Sequence, residues 1–155
     1  MKLNYWVIPL ITILVAASGS WLTQQGLSSW YSGLILPVDA PDGGFIGIVW
    51  TIIFVLVAWS ALMVWNQKPR RPNFKWIVLL FLMNAILNVG WSYLFFVLHR
   101  PGWAILEMTI LNLTTIFLVI WLWRKTIWSA ILLVPYVVWV TFATYLTYLI
   151  WLLNK

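Results

Sequence analysis

Glu107 is the one acidic side chain inside an apolar run of this sequence, and His99 is its only histidine. A carboxylate and an imidazole in a setting of low polarity are groups that could move a proton or hold a cation. A proton or cation pathway, however, requires several ionisable groups in series. One glutamate in the first turns of a helix reads better as a structural charge, favoured by the helix dipole and within reach of Arg100 or His99 from the preceding turn. No nucleophile has a neighbouring base, no two carboxylates share an apolar run, and no dinucleotide or phosphate loop occurs, so no catalytic residue is expected. With no cysteine and a single histidine, a zinc site and a disulfide scaffold are excluded, and neither a metal nor a required cofactor is expected.

The remaining chemistry is hydrogen bonding and aromatic contact. Asn84 and Asn88 are four residues apart and share one helix face, while Asn112, Thr114, Thr115, Thr141, Thr144 and Thr147 punctuate later apolar runs. Polar groups cost free energy in lipid, so these faces are expected to point inward. Interhelical hydrogen bonds, worth about 0.6 kcal/mol each, are their simplest use. Fourteen tryptophans are present. Trp6, Trp30, Trp65, Trp76, Trp121, Trp123, Trp128 and Trp151 lie near the ends of apolar runs and suit an interfacial belt. Trp50, Trp59, Trp91 and Trp139 lie deeper, where an indole N–H wants a partner, and are expected to face other helices, a polar side chain or a cavity. Aromatic walls with a few oriented polar groups suit a flat, apolar ligand.

The elements that must position these groups follow from composition. Of 155 residues, 64% are hydrophobic and 8% charged, too few charges to coat a soluble particle and too apolar for disorder. Lipid is the solvent for most of the surface. A crossing helix needs about 20 apolar residues. Five runs qualify, at about 4–23, 45–66, 76–98, 103–123 and 127–152, leaving a first loop of about 24–44. They are too long and too continuous for barrel strands. The expected fold is all-α: a single membrane domain over residues 1–155, built as a five-transmembrane-helix bundle. Lys2 followed by an apolar stretch and Ala16-Ala17-Ser18 also resembles a cleavable signal peptide, but Trp21 and Leu22 carry the run on to spanning length. Gly43 and Gly47 have a spacing that permits close helix contact at the start of the second span.

Lys2, Lys68, Arg70, Arg71, Lys75, Arg124 and Lys125 fall on one face of such a bundle, against Arg100 and Lys155 on the other. The positive-inside rule puts the N-terminus in the cytoplasm and the first loop and C-terminus outside. The net charge of +6 is accounted for by anionic lipid headgroups, so no nucleic-acid partner is expected.

Several segments carry a resemblance. Trp30-Tyr31-x-x-Leu34-x-x-Pro37, then Pro41 and Gly47-x-x-Trp50-Thr51, look like the first loop and second helix of the TspO/MBR family, the tryptophan-rich sensory proteins and translocator proteins. Asn88-x-x-Trp91-Ser92-x-x-Phe95-Phe96 resembles its third helix and Gly102-Trp103-Ala104-x-x-Glu107 its fourth. Pro135-Tyr136-x-x-Trp139-x-x-Phe142-Ala143-Thr144-x-Leu146 resembles its fifth. The resemblance implies a five-helix bundle, usually a homodimer, in a cell membrane, here expected to be bacterial. It implies a cavity under the first loop that takes porphyrins and other flat hydrophobic small molecules. Pocket candidates carried over by motif position are Trp50, Asn84, Asn88, Trp103, Trp139, Phe142 and Ala143, with Trp103 entering through the motif alone.

Three departures bear on the ligand. Where the family commonly reads Trp-x-Pro-Pro, this chain has Asp39-Ala40-Pro41-Asp42, which would repel porphyrin propionates. Leu146-Thr147 stands in place of Leu-Asn, and Leu152 takes the position of a basic residue in the family's sterol consensus, so sterol recognition is not expected. The leading expectation is a non-catalytic membrane receptor or regulator for a tetrapyrrole or similar flat molecule. A light-dependent porphyrin-degrading enzyme using Trp50 and Trp139 is a second reading implied by the resemblance, and a small-molecule transporter or efflux component a third.

Overall fold

In hydrocarbon every backbone N–H and C=O must be satisfied within the protein, and a long unbroken apolar run achieves this as a helix. The computed structural model, which describes residues 3–67 and 73–155, has five such helices: α1 (Asn4–Leu27), α2 (Gly43–Asn66), α3 (Phe74–Ser92), α4 (Pro101–Trp123) and α5 (Ile127–Leu153). Each is long and apolar enough to cross a membrane, so the chain is an all-α, multi-pass integral membrane protein. Lys2 and the basic run Lys68-Pro69-Arg70-Arg71-Pro72 lie outside the described residues.

Helix ends fall where the local chemistry puts them. Gln24 and Gln25 are good helix formers with no proline near, and α1 runs through them to Leu27, past the expected end of the span. The Asp42 carboxylate accepts the Phe45 backbone N–H at 3.0 Å and caps α2. α3 leads into a π-helical turn, Tyr93–Val97, and then His99 at φ 53° turns the chain before Pro101 opens α4.

α4 packs along α5, α5 on α2, α2 on α1, α1 on α3 and α3 on α4, closing a ring. Small groups allow the α2–α5 crossing: Ser60 and Ser129 are fully buried, and the Ser60 hydroxyl donates to the Ser129 carbonyl at 2.9 Å. Ile53, Met108, Leu111, Tyr136 and Val140 form the middle of the core. Ile86, Ile120 and Val138 point away from it, as side chains bathed in lipid do. Helix α1 is the loosest member, with only Asn4 and Gly26 buried.

Two expectations of inward placement are corrected. Trp59 is 58% exposed on the outer face of α2, where its ring meets lipid instead of another helix. Thr141 is exposed, and the Asn112 amide donates to it at 2.7 Å across an outward-facing α4–α5 groove. The Thr141 hydroxyl accepts from Asn112 and donates to the Val137 carbonyl, so its facing outward costs little.

Loop one folds back over the end of the bundle. Tyr31–Gly33 makes a single 3₁₀ turn, Trp30 stacks on His99 with centroids 4.5 Å apart, and Asn154 at the end of α5 both donates to and accepts from the Ile35 backbone at 2.9 Å. The first loop, loop three and the C-terminus therefore share one end, as an odd number of spans requires.

Candidate ligand cavity

Under loop one the ring is hollow. A cavity of about 570 Å³ is walled by α1 through Ala16, Gly19, Ser20 and Thr23, by α2 through Gly47, Trp50 and Phe54, by α3 through Asn88 and Trp91, and by α5 through Trp139, Phe142 and Ala143. Tyr31, Leu36, Pro41 and Asp42 roof it. Aromatic contacts fix the wall: Trp50 lies 5.7 Å from Phe54 and 6.1 Å edge-on to Tyr136, and Trp139 lies 5.5 Å from Phe142.

Five of the seven expected pocket residues, Trp50, Asn88, Trp139, Phe142 and Ala143, meet at this cavity. Two do not. Asn84 is buried one turn below Asn88 and donates to the Thr115 hydroxyl at 2.8 Å, lining a separate, smaller chamber. Trp103 is 62% exposed and absent from the wall, because it sits on the outer face of α4 while Ala104, next to it, takes the buried position. Gly43 and Gly47 are also placed differently from expectation: a Cβ at either would meet nothing within 4 Å, so they leave room at the cavity and bring no helix close.

The polar complement is sparse and specific. The indole N–H groups of Trp91 and Trp139 are shielded from solvent with no hydrogen-bond partner. Buried donors in this condition are few in native proteins, and each wants an acceptor from water or a guest. Among the described residues Asp42 is the only charged one on the wall. Burial pushes the Tyr31 phenol above its ordinary value and keeps it a neutral hydroxyl at the rim. The Asn88 amide donates to the Tyr136 hydroxyl at 3.0 Å, closing the floor.

Glu107 lies elsewhere. Its two carboxyl oxygens are enclosed without a hydrogen-bond partner among the described residues, and a Cβ at Gly90 would sit 3.8 Å from one of them. The expected approach of His99 is not made, because the positive-φ turn directs the imidazole onto Trp30. Among the described residues no group of three or more His, Cys, Asp or Glu side chains is gathered that could hold a metal ion.

Sequence reasoning missed the α1 wall. Ala16, Gly19 and Ser20, in and just after the Ala16-Ala17-Ser18 stretch that resembles a cleavage site, put little side-chain volume on the wall and leave the cavity open. Phe54 was equally silent, since one phenylalanine in an apolar helix carries no spacing signal.

Comparison with known proteins gives a consistent picture. The TspO/MBR family model matches residues 7–152. The chain is similar to the tryptophan-rich protein TspO of Bacillus cereus, 34% identical over 111 residues covering 72% of this chain and 71% of that protein. It is also similar to the tryptophan-rich protein TspO of Archaeoglobus fulgidus, 28% identical with 94% and 93% covered. The human translocator protein is 26% identical, with 79% of this chain and 73% of that protein covered.

Proposed function

The chain belongs to the TspO/MBR family, and on that premise we propose that it is a membrane receptor or regulator that binds a flat hydrophobic molecule, of the porphyrin type or similar, in the cavity under loop one. The observation that carries this reading is the pair of buried, unpartnered indole N–H groups, Trp91 and Trp139, on a wall that is mainly apolar and aromatic. A plane of π-surface would stack against Trp50 and Trp139, and an acceptor atom on its edge would meet the free N–H donors.

Replacing both Trp50 and Trp139 with phenylalanine keeps the rings and removes indole area and the Trp139 donor. The expected result is about a tenfold loss of affinity for a neutral porphyrin diester, since aromatic contacts are worth about 0.5–1.5 kcal/mol each. Titration in lipid nanodiscs, followed by ligand absorbance, measures it. Unchanged affinity in the double variant would remove the assignment of these walls to a ligand.

Charge at the mouth sets a second expectation. Asp42 is exposed, so its field is screened, yet a porphyrin dicarboxylate must pass it. Asp42→Asn keeps the helix cap, because asparagine caps as well as aspartate. Affinity for the dicarboxylate should rise about threefold while that for the neutral diester stays constant. An equal change in both would assign the effect to the loop's shape and not to its charge.

The receptor is proposed to sit with its N-terminus in the cytoplasm and loop one outside, on the lysine and arginine distribution. The chain has no cysteine, so single introduced thiols report orientation cleanly. In intact cells Ser29→Cys should react with a membrane-impermeant maleimide and Asn73→Cys only after permeabilisation, both side chains being exposed; the reverse pattern would invert the topology. A homodimer is part of the same proposal, by the family resemblance.

A further inference from the structure

Below the ligand cavity lies a second chamber of about 120 Å³ between α1, α2 and α3. Its wall is almost wholly hydrocarbon, from Ile8 and Val15 through Val57 and Ala61 to Phe81 and Ala85. The donors that reach it are already engaged by the protein: Asn84 donates to Thr115, Asn88 to Tyr136, and the Thr12 hydroxyl to the Ile8 carbonyl. Among the described residues no buried, unpartnered polar atom lines it, in contrast to the outer cavity. An apolar cavity of comparable size, about 150 Å³, stays dry and takes benzene or xenon.

The two chambers adjoin. Phe54 and Asn88 line both, so the partition between them is one phenyl ring and the Asn88–Tyr136 pair. A phenyl ring on a helix moves by rotamer change, whereas a hydrogen-bonded pair stays in place. Phe54 is therefore the movable element, and behind it is room for about four chain carbons, taking each as filling roughly the 30 Å³ of a water molecule.

We propose that this inner chamber is a subsite for a short saturated hydrocarbon tail carried by the molecule whose flat part occupies the outer cavity, the tail passing beside Phe54. The inference rests on the receptor reading given above. Transfer of a tail from lipid to protein brings no hydrophobic gain, because both are hydrocarbon. The driving force is the dispersion contact recovered when chain atoms fill a void whose lining lacks partners. Ile11 and Leu82 flank the chamber on the lipid side, so a bilayer acyl chain could enter laterally, and the test must separate the two sources.

Two neutral probes with the same flat aromatic head, one without a tail and one with an n-butyl tail, are titrated into the protein in nanodiscs. Wild type is compared with a variant carrying Ala61→Leu and Ala85→Leu, which fill the inner chamber and leave the outer wall untouched. The ratio of variant to wild-type affinity cancels each probe's partition into lipid. The expected result is a ratio within twofold of unity for the tailless probe and about a tenfold loss for the butyl probe. Equal ratios for the two probes overturn the subsite while leaving the receptor reading intact; failure of the tailless probe to bind wild type overturns both. A second measurement needs no variant: the tail ends in a photoreactive diazirine, and the adducts on wild type are mapped. Label on Val57, Ala61 or Ala85 that is competed by unlabelled butyl probe supports the subsite. Label on these residues from a diazirine placed on a phospholipid acyl chain, with none from the probe's tail, overturns it in favour of the bilayer.

Discussion

Ala143→Trp is expected to abolish ligand binding, with a loss of at least about a hundredfold, or roughly 3 kcal/mol. Ala143 lies on α5 beside Phe142, its methyl facing the cavity whose other walls are Trp50 and Trp91. An indole there occupies the space a flat guest needs. The protein has reason to tolerate it, since the new ring enters a void and does not overpack a filled core. Saturation binding of a neutral porphyrin diester, with thermal unfolding as a control for folding, is the measurement. A stable variant that still binds at wild-type affinity would show that the guest sits elsewhere.

Gly26→Ala should be the most damaging single methyl group in the chain. A Cβ at Gly26 would fall inside contact distance of the Phe96 backbone carbonyl. That carbonyl cannot retreat, because Phe95 and Phe96 are buried in the aromatic cluster with Trp30 and Tyr31. Helix α1 must move instead, and it has little else to hold it, Asn4 being its only other buried residue. The expected cost is about 1–3 kcal/mol, as for overpacking elsewhere. Gly19→Ala, whose Cβ would meet only the Ser92 hydroxyl at 3.7 Å, is the matched control and should change stability by less than about 0.5 kcal/mol. Unfolding in mixed micelles compares them, and equal effects for the two glycines would contradict the close approach. Because α1 walls both chambers, Gly26→Ala should weaken ligand binding as well.

The pattern of what could be read in advance has a physical basis. Five helices were legible because length and apolarity are dictated by the bilayer and hardly depend on tertiary context. Trp50, Asn88 and Trp139 were legible because polar or amphipathic groups deep in a span need a reason to be there. The same reasoning failed for Trp59 and Thr141: lipid accommodates an indole, and a hydroxyl bonded to its own helix is no longer polar enough to demand burial. Trp103 entered by motif position, and only the rotation of α4, with Ala104 inward, reveals its outward direction. The α1 wall escaped notice because small residues signal both close packing and open space. Which of the two they produce depends on the neighbour, and at Gly26 and Gly19 the same residue type gives opposite results.

The central claim is that the hollow under loop one, and not the lipid-facing surface, receives the ligand. A flat, neutral aromatic probe bearing a diazirine on its ring, photoactivated in nanodiscs and mapped by peptide mass spectrometry, tests it most directly. The expected adducts fall on Trp50, Trp91, Trp139 or Ala143 and disappear with excess unlabelled probe. Adducts confined to Ile86, Ile120, Val138 and other outward side chains, unaffected by competition, would contradict it.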